Sequence, residues 1–248
     1  MRYFIGNWKM FGVPKSINIL NKINKFVRLD KNNKKYRTII TPPYTLLESY
    51  TKYCKNKKIL VGAQNCYHKD FFSSDTAAVS AYMIKSLGVK YVIIGHSDNR
   101  AEGDNDLILK QKVVNATNNN LKVIFCVGEN KAQKNKNQTF QSLKKQIVRV
   151  LEKKFDKNNI IIAYEPIWSI GTGKIPTVSE LKKTTSFIKK TLKNVFKTKN
   201  SPAVLYGGSV DGSNVALFKD IPDIDGFLIG GASKSSKKFI DILKNYYR

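Results

Sequence analysis

Glu165 directly follows the strand-like run Ile160-Ile161-Ile162-Ala163-Tyr164 and opens the stretch Glu165-Pro166-Ile167-Trp168-Ser169-Ile170-Gly171-Thr172-Gly173-Lys174. A run of β-branched residues reads as a strand buried on both faces. A carboxylate just past such a strand points into the mouth of a sheet or barrel, where it is placed to remove a proton. The residues after it have the layout of a lid. Pro166 and Trp168 are stiff and bulky, while Gly171 and Gly173 permit sharp φ/ψ changes and bring backbone N–H groups close to a ligand. Each part alone also has a plain reading: a Glu after a strand is commonly a solvated loop residue, and Gly-x-Gly-Lys is a common turn.

Other strand ends carry groups that complete such a chemistry. His96-Ser97-Asp98 follows Val92-Ile93-Ile94-Gly95, and Asn7 and Lys9 end the first apolar run. Proton abstraction next to a carbonyl needs a base, an electrophile on the oxygen and a cation near the developing negative charge. A neutral histidine can polarise a carbonyl and move a proton between neighbouring oxygens. Taken singly, His96 reads as structural and Lys9, one of 44 basic residues, as a surface lysine. Gly207-Gly208-Ser209-Val210 and Gly230-Gly231-Ala232-Ser233 end two consecutive runs. One Gly-Gly pair is a tight turn; two at neighbouring strand ends make a place for a phosphate. Cys126 reads as a core thiol and Glu129 as a structural hydrogen-bond partner.

These residues must be positioned by strands, and the apolar runs supply eight: Tyr3 to Trp8, Thr38 to Thr41, Ile59 to Ala63, Tyr91 to Gly95, Val123 to Val127, Ile160 to Tyr164, Ala203 to Tyr206 and Gly226 to Ile229. Between them lie amphipathic stretches. Ser16 to Val27 places Ile17, Leu20, Ile23 and Phe26 on one face, and Ser179 to Phe196 does the same with Leu181, Ile188, Leu192 and Val195. Ser179 is the expected N-cap of the second. Repetition of strand, loop and helix over 248 residues, with no linker or composition break, predicts a single α/β domain, residues 1–248, folded as a (β/α)8 barrel. A doubly wound open sheet is the alternative, but Asn7-Trp8-Lys9-Met10 is not the Gly-rich fingerprint such a sheet carries after its first strand.

Hydrophobic residues make up 42% of the chain, enough for a sizeable core. No apolar run approaches the roughly 20 residues of a membrane span, and Met1 to Gly6 does not read as a signal peptide, so no membrane partner is expected. The three cysteines Cys54, Cys66 and Cys126 lack metal-ligand spacing and are expected as reduced thiols in the cytoplasm. The formal charge is +26. The lysines sit with asparagines in separate runs such as Lys31 to Lys35, Lys55 to Lys58 and Lys131 to Asn137, which favours solvated surface over a nucleic-acid footprint. A positive field still attracts a small anionic substrate.

With Gly6-Asn7-Trp8-Lys9, Ile94-Gly95-His96-Ser97, Cys126-Val127-Gly128-Glu129, Ala163 to Lys174, Tyr206 to Val210 and Gly230 to Ser233 all in register, the chain resembles the triosephosphate isomerase family over essentially its whole length. The resemblance implies a TIM barrel that interconverts dihydroxyacetone phosphate and glyceraldehyde 3-phosphate without cofactor or metal. It implies Glu165 as the base, His96 as the neutral electrophile, and Lys9 and Asn7 as stabilisers of the enediolate. Gly171, Ser209, Gly230 and Gly231 are implied to bind the phosphate. The pairing of a Glu base with a neutral His under a closing loop is a known example of pKa tuning. Ile170 and Leu228 are candidates to clamp and desolvate the base, with core packing an equal reading for Leu228.

Some positions depart from the family pattern. His96-Ser97 is usually followed by Glu-Arg-Arg, and here by Asp98-Asn99-Arg100; Asp98 is one methylene shorter, which limits its reach toward Lys9. The third loop, usually Phe-Thr-Gly-Glu, aligns here with Asp75-Thr76-Ala77-Ala78. The Glu and Arg that usually pair across the dimer are therefore both absent, replaced by Ala78 and Asn99. Losing both avoids one unpaired buried charge, worth about 3–5 kcal/mol. A homodimer with a rewired interface is expected, Thr76 reaching toward the partner's site, and Pro176 is expected to stiffen the far hinge of the lid. A Schiff-base aldolase on the same fold would need a lysine where Glu165 stands. A nucleic-acid-binding barrel would need affinity that survives about 150 mM salt.

Overall fold

Alternation along each strand decides which side chains meet inside the sheet and which meet the helices. In β6 (Ile160–Tyr164), Ile161 and Ala163 join a ten-residue cluster in the interior, while Ile160, Ile162 and Tyr164 join the larger layer under the helices. The same parity sends Ile5 inward and Phe4 outward in β1 (Arg2–Asn7), and Ile93 inward and Val92 outward in β4 (Tyr91–Ile94). The other strands are β2 (Tyr36–Thr41), β3 (Ile59–Ala63), β5 (Lys122–Val127), β7 (Ala203–Tyr206) and β8 (Gly226–Ile229). The computed structural model describes residues 1–248. All eight strands pair in parallel, each with its neighbours in sequence, and β8 closes onto β1 through Tyr3 opposite Gly226 and Ile5 opposite Leu228. This is the closed barrel that the repeated pattern predicts.

The helices are α1 (Ile17–Leu29), α2 (Tyr44–Cys54), α3 (Ala81–Ser86), α4 (Ser97–Ala101), α5 (Asp106–Asn118), α6 (Lys131–Asn135), α7 (Thr139–Val150), α8 (Val178–Phe196) and α9 (Ser236–Tyr247). After β7 only a 3₁₀ turn, Val215–Phe218, occupies the helical position. Leu20, Ile23 and Val27 of α1 and Leu181, Ile188 and Leu192 of α8 are buried in the 52-residue layer between sheet and helices. Each such aliphatic side chain contributes about 1.5–3 kcal/mol by leaving water.

Element ends differ from the expectation by a few residues. β1 ends at Asn7 rather than Trp8, because Trp8 turns out of the barrel and its indole N–H donates to the Ser233 carbonyl at 3.0 Å. β2 starts at Tyr36, two residues early, and β4 stops at Ile94, because Gly95 takes φ +75°. The expectation of Ser179 as N-cap was wrong: the cap of α8 is Thr177. Its hydroxyl accepts from the Glu180 N–H at 3.2 Å, and the Glu180 carboxylate accepts from the Thr177 N–H at 2.7 Å. The Thr-x-x-Glu spacing of this reciprocal box lies two residues before Ser179.

Candidate active site

The inward parity of β6 runs on one residue past the strand, so Glu165 follows Ile161 and Ala163 into the mouth of the barrel. Its amide donates to the Val127 carbonyl at 2.8 Å, and the Gly207 amide donates to the Tyr164 carbonyl at 2.8 Å. Two glycines make room for it. A Cβ at Gly128 would lie 1.8 Å from the Glu165 carbonyl oxygen, and one at Gly207 would lie 2.8 Å from its Cγ. The residue is 3% exposed. Burial pushes its carboxyl up from the ordinary range, against the lowering influence of His96, a hydrogen bond from Cys126 and Lys9. Cys126 is thus a core thiol, as expected, but it touches the base.

His96 caps α4 rather than ending a strand. Its Nδ1 accepts the Asp98 backbone N–H at 3.1 Å, which leaves the ring proton on Nε2. Nε2 stands 3.3 Å from Glu165 Oε1. The imidazole is buried and therefore held in one orientation, its N–H aimed into the mouth. Arg100 fixes the turn beneath it, donating to the carbonyls of Gly95 at 2.8 Å and Cys126 at 3.0 Å.

Lys9 adopts φ +54°, a left-handed conformation that costs energy outside glycine. Two hydrogen bonds hold it there, and a third anchors Gln64. The Lys9 amide donates to Asn7 Oδ1 at 3.1 Å, and Gln64 Nε2 donates to the Lys9 carbonyl at 2.9 Å and the Thr41 carbonyl at 2.8 Å. The ammonium lies 3.1 Å from Asp98 Oδ2, so the shorter acid does reach it. Both members of that pair are partly solvated, and such a pair is weak enough for the ammonium to turn to a ligand.

Asn7, Lys9, His96 and Glu165 line a cavity of about 520 Å³ together with Gly171, Ser209, Gly230 and Gly231. Nothing lies within 4 Å of a Cβ built on Gly230 or Gly231, so backbone, not side chain, faces the space there. Ile170 and Leu228 line the same cavity. Leu228 also belongs to the interior cluster, so both readings of it hold. The segment 165–177 contributes Glu165, Ile170, Gly171 and Gly173 to that lining. Trp168 Nε1 donates to Glu129 Oε1 at 2.8 Å, the Tyr164 hydroxyl donates to the same oxygen at 3.1 Å, and Lys134 Nζ sits 3.5 Å above the Trp168 ring. Ser169 Oγ donates to the Lys174 carbonyl at 2.5 Å, and Ser209 Oγ to the Ser169 carbonyl at 2.9 Å. Gly171 to Lys174 are exposed and Gly171 and Gly173 have positive φ, while Pro176 is buried. The segment is an exposed tip between two anchored ends.

Every expected site residue lies in this one mouth. Gln64, Gly128 and Gly207 were not singled out individually by sequence reasoning. Gln64 had no signal beyond its place just past the third strand. Thr76 lies exposed on the long segment 64–80, where Asp75 accepts from Tyr67, Lys69 and Ser73.

A family model described as triosephosphate isomerase matches residues 2–246. The chain is similar to a protein of Rhizobium meliloti named triosephosphate isomerase, 35% identical over 97% of this chain and 94% of the relative. It is 36% identical to the protein of that name from Saccharomyces cerevisiae, over 98% of each chain. A crystal structure of triosephosphate isomerase from Bartonella henselae matches with TM-score 0.89 and 32% identity, covering 100% of this chain and 99% of that one.

Proposed function

The chain belongs to the triosephosphate isomerase family, whose enzymes interconvert dihydroxyacetone phosphate and D-glyceraldehyde 3-phosphate in glycolysis and gluconeogenesis, and we propose that Glu165, His96, Lys9 and Asn7 carry that proton transfer here. Glu165 removes the carbon-bound proton. Burial raises its basicity above that of a solvated carboxylate, which brings it closer to the strength the step needs. His96 donates its Nε2–H to the substrate oxygens as charge builds on them, and it does so as a neutral imidazole because Nδ1 is already an acceptor. Lys9 and Asn7 stabilise the enediolate from the opposite side. The phosphate binds at the glycine-lined end, to backbone N–H groups of Gly171, Gly230 and Gly231 and to Ser209. The lid closes over an intermediate prone to lose phosphate.

The observation that carries this reading is the 3.3 Å approach of His96 Nε2 to Glu165 Oε1 in a cavity that Gly171, Gly230 and Gly231 also line. Assays of isomerisation in both directions test it. Glu165→Gln is expected to lower kcat by about a thousandfold or more with the fold unchanged. A folded wild type without activity would contradict it.

Exposed Phe71, Phe72, Thr76 and Ala77 on the segment 64–80 support a homodimer formed through that loop, Thr76 reaching the partner's Asn7 and Lys9. A monomeric mass at micromolar concentration would contradict it. Three buried free thiols support a reducing compartment, the cytoplasm.

A further inference from the structure

The seven connections that lead into β2 to β8 carry thirteen lysines and six carboxylates. The eight that leave the strands toward the active site, with the short helices α4 and α6 counted in them, carry nine Lys or Arg and eight carboxylates. Along the chain the lysine runs are scattered. In a closed barrel every connection into a strand reaches the same end, so the topology gathers them into one ring. The carboxylates of that ring are mostly committed. Asp225 and Asp223 pair with Lys189, Glu152 with Lys110 and Lys154, and Asp30 accepts from Tyr36 at 2.6 Å. Lys31, Lys34, Lys35, Lys55 and Lys58 are exposed and stand in no ion pair. Helix C-termini at this end carry partial negative charge, which accounts for one cation per helix and not for three in a single turn.

The kind of polyanion follows from the side chains. All thirteen cations are lysines, with no guanidinium fork for nucleic-acid phosphates or bases. No aromatic ring of these connections is exposed to stack on a base. Two of the most exposed large apolar side chains do lie at this end: Leu29 at the close of α1, 70% exposed beside Lys31, and Met1, 65% exposed. Flexible lysines around isolated apolar side chains are how a protein meets the headgroups of an anionic bilayer. We propose that the barrel end opposite the active site is a docking face for membranes rich in anionic lipid. No helix is long and apolar enough to cross a membrane, so the contact is peripheral. It departs from the expectation of no membrane partner, which rested on the absence of a span and on runs that looked scattered. Docked this way, the active-site mouth faces away from the lipid and stays open to substrate.

Co-sedimentation of the full chain with vesicles tests the proposal. Vesicles of phosphatidylcholine are compared with vesicles holding about 30% phosphatidylserine, at about 150 mM salt. Binding to the anionic vesicles is expected to be at least tenfold tighter. Each lysine near such a surface is worth roughly fivefold, so Lys31→Gln, Lys34→Gln, Lys35→Gln, Lys55→Gln and Lys58→Gln together are expected to weaken it about a hundredfold or more. The same number of changes on outward helix faces, at Lys22, Lys145, Lys182, Lys190 and Lys237, is expected to cost no more than about threefold. Isomerisation by vesicle-bound enzyme is expected to equal that of free enzyme. Equal loss from the two five-lysine variants, equal binding to neutral vesicles, inhibition on docking, or tighter binding to a DNA duplex at the same salt would each overturn it.

Discussion

The two ends of the barrel are built from the same strands and differ in how their charges are held. At the end where the strands finish, the groups that face the mouth are individually braced. Glu165 is wedged between two glycines, His96 is fixed by the Asp98 amide, and Lys9 is kept in a costly backbone conformation by Asn7 and Gln64. At the end where the strands begin, lysines are many, and Lys31, Lys34, Lys35, Lys55 and Lys58 among them are exposed and stand in no ion pair. Position carries the first kind of function and summed charge the second. A single methylene matters at one end; at the other, only the number of cations does.

That contrast breaks most sharply at Lys9. Lys9→Met keeps the side-chain length and the left-handed backbone, and is expected to lower kcat/KM by about a hundredfold to a thousandfold through loss of charge at the developing oxyanion. Steady-state kinetics in both directions, beside a circular dichroism spectrum, checks it. Gly207→Ala comes next. Its methyl would stand 2.8 Å from Glu165 Cγ and must displace the base, and a displacement approaching 1 Å costs on the order of 100-fold in rate. The same change is expected to cost about 1–3 kcal/mol of stability, read from denaturant unfolding.

The pH dependence is the third test. Because burial raises the Glu165 carboxyl, kcat/KM is expected to fall as pH drops through a value above the usual carboxylate range. Stability runs the other way. The buried carboxylate is disfavoured once ionised, so its cost is absent below the unfolded-state value near 4.3 and complete above the raised folded value. Glu165→Gln is therefore expected to raise Tm near neutral pH, by about 2–4 °C per kcal/mol relieved, and to lose that advantage in acid. The smallest effect belongs to the other end. The five lysine changes there are expected to leave kcat/KM within about twofold at 150 mM salt, where a charge more than a Debye length from the mouth is screened. A tenfold loss would mean that the two ends are coupled.

How much of this was legible beforehand follows the same division. The barrel, and the gathering of the expected site residues in one mouth, could be read because strand runs and the groups just past them are contiguous in sequence. Glu165 needs only the parity of Ile161 and Ala163 to point inward. The α8 cap was misread by two residues because Ser179 is a cap-type residue that happens to fall inside the first turn, while the true box spans Thr177 and Glu180. Gln64 was invisible because its partners, the carbonyls of Thr41 and Lys9, are distant in sequence and offer no side-chain pattern. Asp98 looked too short for Lys9, yet the pair closes at 3.1 Å, a distance that side-chain length alone does not decide. The basic ring escaped notice for a topological reason: its members alternate along the chain with the connections of the opposite end.

The most direct test of the central claim, that Glu165 works through an enediolate, is isotopic. The reaction is run in D₂O with wild type and Glu165→Gln, and the product is analysed for deuterium on the carbon next to the carbonyl. Solvent deuterium in the wild-type product, with both exchange and turnover down about a thousandfold or more in the variant, is the predicted result. A variant that exchanges and turns over as fast as wild type would contradict it.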